Sequence, residues 1–370
     1  MVPNPDLEMS CEAVRKRVVG SIPHPFLNYS IAFAKDVHKA YEFLELGLAA
    51  TYSPENHYCF SIDSKADPEF IQHFRMLATC LPNVYLAPER HNMNSAGGFV
   101  NRAHLDCLEI LIEQPNWEYA VLQQTYDLVA HSNEELMNMF KILNGSNDAT
   151  TNLVPGNRIE YALNWTVEEL NFFPKNFSFG PAPKQKARID FAKGYVQASL
   201  SRAAVHWMTR EVNLTKFVEQ LNFLNHKGYG VDEQFIATLI NSDTLGMPGG
   251  FHHRCIKKGI PTFMTRYTKW SKPCGTNRMR ANQCVWGVED LVALRNISRR
   301  FVMVNKFLPD FDFAGISCMA ESIWNRTHYG ADPIDEEKLG KHGIKYYNEV
   351  LKQQPSFDAE TFDCNVTFPK

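Results

Sequence analysis

Glu233 is the side chain best placed by type and context to do acid–base chemistry. It stands in Gly230-Val231-Asp232-Glu233-Gln234-Phe235, where a predicted helix (Val231–Asn241) follows the Gly228-Tyr229-Gly230 loop. A loop-to-helix entry can present a carboxylate into a cleft, where it can take a proton from an incoming hydroxyl. Acidic residues also gather at helix starts for a plainer reason, the helix dipole. A closely spaced pair of carboxylates is one way to hold a divalent cation. Tyr58–Ala66 (YCFSIDSKA) carries one carboxylate, Asp63, with no partner two residues away. The single D-x-D, Asp310-Phe311-Asp312, falls late in a loop-like stretch and reads as a surface turn. His252 and His253 are adjacent, so their side chains diverge in extended chain, and no second spaced ligand pair follows. We therefore expect no metal and no cofactor. No G-x-S-x-G elbow is present, which argues against an α/β hydrolase.

The elements that would position these residues alternate. Strand-like runs at Phe26–Ala34, His57–Asp63, Asn83–Leu86 and Tyr119–Gln123 are separated by helical patterns. Those helices are predicted over Val37–Ala50, Pro68–Cys80, Asn101–Glu113 and, after Ser132-Asn133, over Glu134–Leu143. This order predicts an α/β fold with a mostly parallel central sheet and helices on both faces. Ligands of such sheets bind at the carboxyl ends of the strands. A polar break at Asn144–Asn157 opens an irregular segment that runs to about Arg188 and contains Pro174, Pro181 and Pro183. Beyond it, Tyr195–Leu200, Gln283–Trp286 and Phe301–Lys306 read as strands, with helices over Val288–Asn296 and Ala314–Thr327. We divide the chain into an N-terminal segment (1–24), a core domain (25–330, with halves meeting near residue 145) and a charged, weakly patterned tail (331–370).

The chain has 370 residues, 44% of them hydrophobic, enough to bury a full core. With 38 basic and 41 acidic residues, net charge −3 and no basic run, nucleic acid is not an expected partner. No apolar stretch has the length of a membrane helix, and the polar start MVPNPDLEMS is no signal peptide. Nine cysteines and eight N-x-S/T sequons (Asn28, Asn144, Asn164, Asn176, Asn213, Asn296, Asn325 and Asn365) nevertheless point to a lumenal protein whose anchor lies upstream.

Several separated segments, in order, resemble the core-2/I-branching β-1,6-N-acetylglucosaminyltransferase family in an invertebrate form. They are YSIAF, ENHYCFSIDSKA, ATCLPNVYLA, AHLDCLEIL, WEYAVLQQTYDLVAHSNEEL, VDEQFIATLI, RYTKW, CVWGVEDL and VNKF, spread over about Cys11 to Asn325. The resemblance implies a GT-A-like nucleotide-sugar transferase fold and an inverting, metal-independent transfer of GlcNAc from UDP-GlcNAc to a 6-hydroxyl of an O-glycan. UDP-glucose or UDP-xylose remain alternative donors, and a non-catalytic lumenal binding protein is the rival reading.

By the same resemblance, Glu233 is the catalytic base. Asp63 and Asp127 contact the nucleotide-sugar, and Lys306 with Arg280 holds the departing diphosphate. Arg278 is the fallback, because the stretch Cys274–Cys284 is one residue longer than the family spacing. Guanidinium grips phosphate bidentately and lysine acts as a point charge, so the pair can supply the charge a metal otherwise would. Trp270 is the acceptor-side aromatic; Arg158 and Glu160 are weaker acceptor candidates. The implied disulfides are Cys11–Cys80, Cys59–Cys107 and Cys274–Cys284. Cys318 then pairs with Cys255, with Cys364, or with a residue upstream of this chain. The implied setting is the Golgi lumen with type II topology, with a UDP-sugar and a glycan or glycoprotein as partners. A homodimer is one expected assembly.

Overall fold

The computed structural model describes residues 4, 6–173, 186–258, 263–358 and 361–365. The Asn176 sequon and the Pro174, Pro181 and Pro183 positions lie outside the described residues. Four parallel strands form the heart of the molecule: β1 (Ser30–Val37), β2 (His57–Ile62), β3 (Val84–Leu86) and β4 (Trp117–Gln124). Short strands follow in β5 (Leu128–Val129), β6 (Asp148–Ala149), β7 (Asn152–Leu153), β8 (Ala192–Lys193) and β9 (Ala198–Ser201). The main sheet has the order β3-β2-β1-β4-β9-β6, with β9 antiparallel to β4 and β6 antiparallel to β9. β7 and β8 form an antiparallel pair beside it. Downstream, β10 (Arg266–Thr268), β11 (Met279–Arg280), β12 (Gln283–Cys284) and β13 (Met303–Asn305) complete the strands. β10, β13 and β5 make a second, three-stranded sheet, and β11 pairs with β12.

The expected α/β architecture is present. β1 is buried along its whole length, as a central strand covered on both faces must be. Its alternate residues feed two cores. Ile31 and Phe33 pack with Phe43, Leu44, Phe70 and Phe74, while Ala32 and Ala34 pack with Leu105, Leu108 and Phe235. The first core is covered by α1 (Cys11–Val18), α2 (Tyr41–Thr51), α3 (Pro68–Cys80) and, further along the sheet, α5 (Asn133–Leu143); α4 (Val100–Leu111) covers the other face. Two helix starts follow local rules. Asp67 caps α3 at the Glu69 N–H (2.9 Å) with Pro68 in the first turn, and Ser132 with Glu135 forms the capping box of α5.

One strand begins later than its residues suggest. Phe26–Ala34 reads as a strand, but β1 starts at Ser30 and Phe26 is 80% exposed. Pairing with β4 begins only where Ser30 donates to the Asn116 carbonyl (2.9 Å) and Ile31 to Asn56 Oδ1 (2.9 Å). An apolar run without a neighbouring strand has no ladder to join.

The flanking segments are packed onto the core. α1 carries the buried Val14 and Val18 and is tied down by Cys11–Cys80. In the tail, His342 is buried against Asp148 (2.5 Å) and Cys364 bonds to Cys255. Cys59–Cys107 and Cys274–Cys284 are also formed. A bridge of this kind contributes ~2–4 kcal/mol when unstrained. The expectation that Cys318 pairs with Cys255 or Cys364 is overturned. Those two bond to each other, and Cys318 is a free, exposed thiol on α10 (Phe313–Tyr329).

Candidate active site

The polar residues collect at the carboxyl ends of β1, β2 and β4, as the sheet rule requires. Asp63 follows β2; its N–H donates to the Val37 carbonyl, and the Lys65 ammonium meets both its oxygens at 2.9 and 3.0 Å. His38 follows β1 and shares a 2.8 Å hydrogen bond with Thr125 Oγ1. Burial, then the nearby Lys39 charge, pushes its imidazole below the ordinary value.

Asp127 follows β4 and is held by the protein itself. Its carboxylate is fully buried and accepts from Asn305 Nδ2 (2.9 Å), Gln197 Nε2 (2.7 Å) and the Gln124 N–H (2.7 Å). Both oxygens are spent inside the protein, so its part is to hold a wall. That wall is Arg266 on β10, which donates to Gln197 Oε1 and Asn305 Oδ1, both at 2.8 Å, and lies 3.8 Å from Asp127.

Lys306 follows β13, directly after Asn305. Burial pushes its ammonium down to about 8, and the Arg280 and Arg266 charges push the same way. Arg280 is exposed at the tip of the β11–β12 hairpin, with its guanidinium 5.3 Å from the centre of the Tyr126 ring. Two left-handed residues, Ala281 and Asn282, make this turn, and Cys274–Cys284 closes its base. Arg278 points elsewhere, 6.0 Å from the Phe311 ring. Arg280 is therefore the arginine that shares a field with Lys306. Among the described residues, no carboxylate pairs with either cation.

Glu233 sits in the first turn of the next helix to be named. Before it come α6 (Arg202–His206) and α7 (Thr215–Phe223); Glu233 itself belongs to α8 (Asp232–Asn241). Gly230 supplies the left-handed turn (φ +61°) that starts α8, and a Cβ there would come within 3.1 Å of Glu233 Oε2. Oε2 accepts from Arg158 Nη1 (2.9 Å) and Lys193 Nζ (2.8 Å). Among the described residues, no hydrogen bond engages Oε1. Asp232, directly before it, takes the Glu233 N–H on Oδ1 (2.9 Å). Burial, then the Glu233 charge, pushes Asp232 up to about 7. Glu160 does not join this corner; it forms an ion pair with Lys227.

One short stretch joins the two halves of the site. Lys193 reaches Glu233, and the Gly194 N–H donates to the Glu233 carbonyl (2.8 Å). Tyr195 stacks on Trp270 and accepts from its Nε1 (2.6 Å), and Gln197 bonds Asp127 and Arg266. Gly194 is required there, since a Cβ would fall 1.7 Å from the Thr150 carbonyl oxygen. Trp270 stays 48% exposed, and Arg266 lies 4.9 Å from the Tyr195 ring centre. Arg266 in turn feels the Glu233 charge. Glu233, the aromatic pair and Lys306 are thus linked through Arg266.

Sequence reasoning missed Arg266, Gln197, Lys193 and Tyr195. Arg266 lies inside the RYTKW segment, yet only its tryptophan was singled out. Nothing in a single sequence marks the other three. The D-x-D has a local use: Asp312 caps α10 at Gly315 (2.9 Å) and also accepts from the Val288 N–H (2.8 Å).

A carboxylate with one open oxygen, and two cations without an ion pair among the described residues, linked to it through Arg266, are the parts that group transfer from a phosphorylated donor needs. The Core-2/I-Branching enzyme profile matches residues 31–295. The chain is 28% identical over 308 residues to the beta-1,3-galactosyl-O-glycosyl-glycoprotein beta-1,6-N-acetylglucosaminyltransferase 4 of Danio rerio, covering 80% of this chain and 70% of that one. It is 25% identical to enzyme 3 of the same name from Rattus norvegicus (82% and 70% covered). It is 26% identical to the corresponding enzyme of Bovine herpesvirus 4 (88% and 76% covered). The chain belongs to the Core-2/I-Branching enzyme family and is a glycosyltransferase, with a sugar donor and a glycan acceptor.

Proposed function

We propose that this enzyme moves GlcNAc from UDP-GlcNAc to a 6-hydroxyl of a β-1,3-galactosyl O-glycan, with inversion and without a divalent metal. The observation that carries the reading is Glu233, with one oxygen open, acting electrostatically on Arg266, which with Arg280 acts on Lys306. Glu233 takes the proton of the acceptor hydroxyl. The oxygen forms a bond to the anomeric carbon as the bond to the diphosphate breaks, and UDP leaves with the electron pair. Lys306 and Arg280 meet the charge that develops on it. Trp270 and Tyr195 offer a stacked aromatic surface to the acceptor. Asp63 is proposed to contact the nucleotide. Eight sequons and four disulfides support a Golgi lumenal setting with type II topology. Among the described residues, no helix is long and apolar enough to cross a membrane.

The test is transfer from UDP-GlcNAc to a β-1,3-galactosyl-GalNAc acceptor in EDTA, with wild type and Glu233→Gln compared. Wild type should turn over, and the variant should lose ~10²–10⁴-fold in kcat while keeping its affinity for UDP. Equal rates in both would remove Glu233 as base. Activity that appears only on adding a divalent metal would overturn the cation reading.

A further inference from the structure

Asp36 lies at the carboxyl end of β1 and has no part in the chemistry above. It points to the α4 side of the sheet, opposite Lys35, whose ammonium donates to the Asp127 carbonyl (2.9 Å) on the other side. Asp36 is 8% exposed, and its Oδ1 has no hydrogen-bond partner. The nearest base, His104, comes within 3.7 Å but bonds the Gln123 carbonyl (3.0 Å). Burial pushes His104 down to about 4, so the ring is neutral and its Nε2–H is committed to that carbonyl. Burial, then the carboxylates of Asp127 and Asp232, holds Asp36 well above the usual carboxylate range. A carboxyl that holds its proton longer than usual can donate as well as accept.

Buried polar atoms in folded proteins nearly always have partners, and the exceptions call for a ligand or a water. Other such atoms on neighbouring strands and loops are Ser61 Oγ, Gln123 Nε2, Tyr126 OH, Arg266 Nε and Thr268 Oγ1. Tyr126 lies under Arg280, and Arg266 and Thr268 are on β10 beside Lys306. Asp36 feels charge from both sides, from Asp127 in the wall and from Asp232 beside the base. A hexose whose anomeric carbon is to be attacked must sit between base and diphosphate.

We propose that Asp36 determines donor specificity by hydrogen-bonding a ring hydroxyl of the donor sugar. This rests on reading the cleft as a nucleotide-sugar site. The test uses the full chain as wild type, Asp36→Asn and Asp36→Leu, with Asp36→Ala as the second variant should leucine unfold it. UDP-GlcNAc and its 3-, 4- and 6-deoxy analogues are compared by kcat/KM, and UDP alone by calorimetry. One analogue should lose roughly tenfold or more on wild type and on Asp36→Asn, and nothing on Asp36→Leu or Asp36→Ala, because a lost partner cannot be lost twice. UDP affinity should stay within about twofold throughout. If every analogue keeps its wild-type penalty in the variants, or UDP binding falls as far as UDP-GlcNAc binding, the proposal is wrong. A purely structural Asp36 would lower Tm and leave the penalties in place. Failure of wild type to use UDP-GlcNAc would sink the proposed function instead. Competitive binding of the same analogues would then still read Asp36.

Discussion

The two ends of the cleft use positive charge in opposite ways. At the base end, Arg158 and Lys193 both terminate on one oxygen of Glu233, so their charge is spent on a carboxylate. At the other end, Arg266 is spent on Gln197 and Asn305, while among the described residues Lys306 and Arg280 form no ion pair and the Arg280 charge acts on Lys306. Part-exposed pairs like those on Glu233 contribute only ~0–1 kcal/mol. Their value is geometric, in holding one oxygen still and leaving the other open. The unpaired end carries a cost in every ligand-free molecule, visible in the lowered Lys306. Charges that position are neutralised in place, and charges that receive a ligand are left wanting one.

The largest expected effect breaks the unpaired end. Lys306→Ala and Arg280→Ala should each lower kcat/KM for the donor by ~10²–10³-fold, since each removes charge aimed at the leaving group. Arg278→Ala should stay within about threefold, because its guanidinium faces Phe311 and not Lys306. Initial rates over a donor titration decide it; a larger loss in Arg278→Ala would reverse the assignment.

The base end should give a smaller and different signature. Arg158→Ala or Lys193→Ala should lower kcat by roughly tenfold through a looser Glu233, with donor KM within about twofold. Since both cations end on the same atom, the double variant should fall short of the product of the two single losses. Independent losses would mean that each cation touches substrate instead.

Much of this was legible in the sequence, and the rest was lost for a physical reason. Local signals fixed local structure. The helical pattern of Pro68–Cys80 gave α3 its bounds, and Ser132-Asn133 marked the start of α5. Alternation gave the parallel order of β1 to β4. Glu233, Lys306 and Arg280 were named through a resemblance, and in the structure Arg266 lies within electrostatic reach of both Glu233 and Lys306. Residues that hold the site together are joined across the chain: Gln197 to Arg266 over 69 residues, Lys193 to Glu233 over 40. No periodicity reports such a pairing. The burial of Asp127 was not legible, because an acid after a strand looks the same whether it is open or enclosed. The Cys255–Cys364 bridge was not foreseen, because counting cysteines says nothing of which are near.

The lowered Lys306 sharpens the comparison through pH. Its proton leaves near pH 8 in the free enzyme, so kcat/KM for the donor should fall above about 8 as the charge is lost. Lys306→Arg should move that limb beyond the accessible range, because guanidinium keeps its proton. A limb unchanged in Lys306→Arg would assign it to another group.

The smallest effect concerns the acid behind the base. Asp232 is the mirror of Lys306, an acid with too little positive charge near it, pushed up to about 7. Below its unfolded value of 3.8 it is neutral folded and unfolded, and its contribution to stability is whole. As pH rises, the unfolded chain gives up the proton first, so the folded state binds more protons and stability falls through that window. Above about 7 the folded carboxyl ionises too, and the full cost of burying it beside Glu233 is present. Asp232→Asn keeps the oxygen that accepts the Glu233 N–H and removes this charge. It should raise Tm by roughly 2 °C or more at pH 8 and leave it unchanged near pH 4. An equal shift at both pH values would show that the amide acts through packing, and the symmetry between unpaired acid and unpaired base would fail.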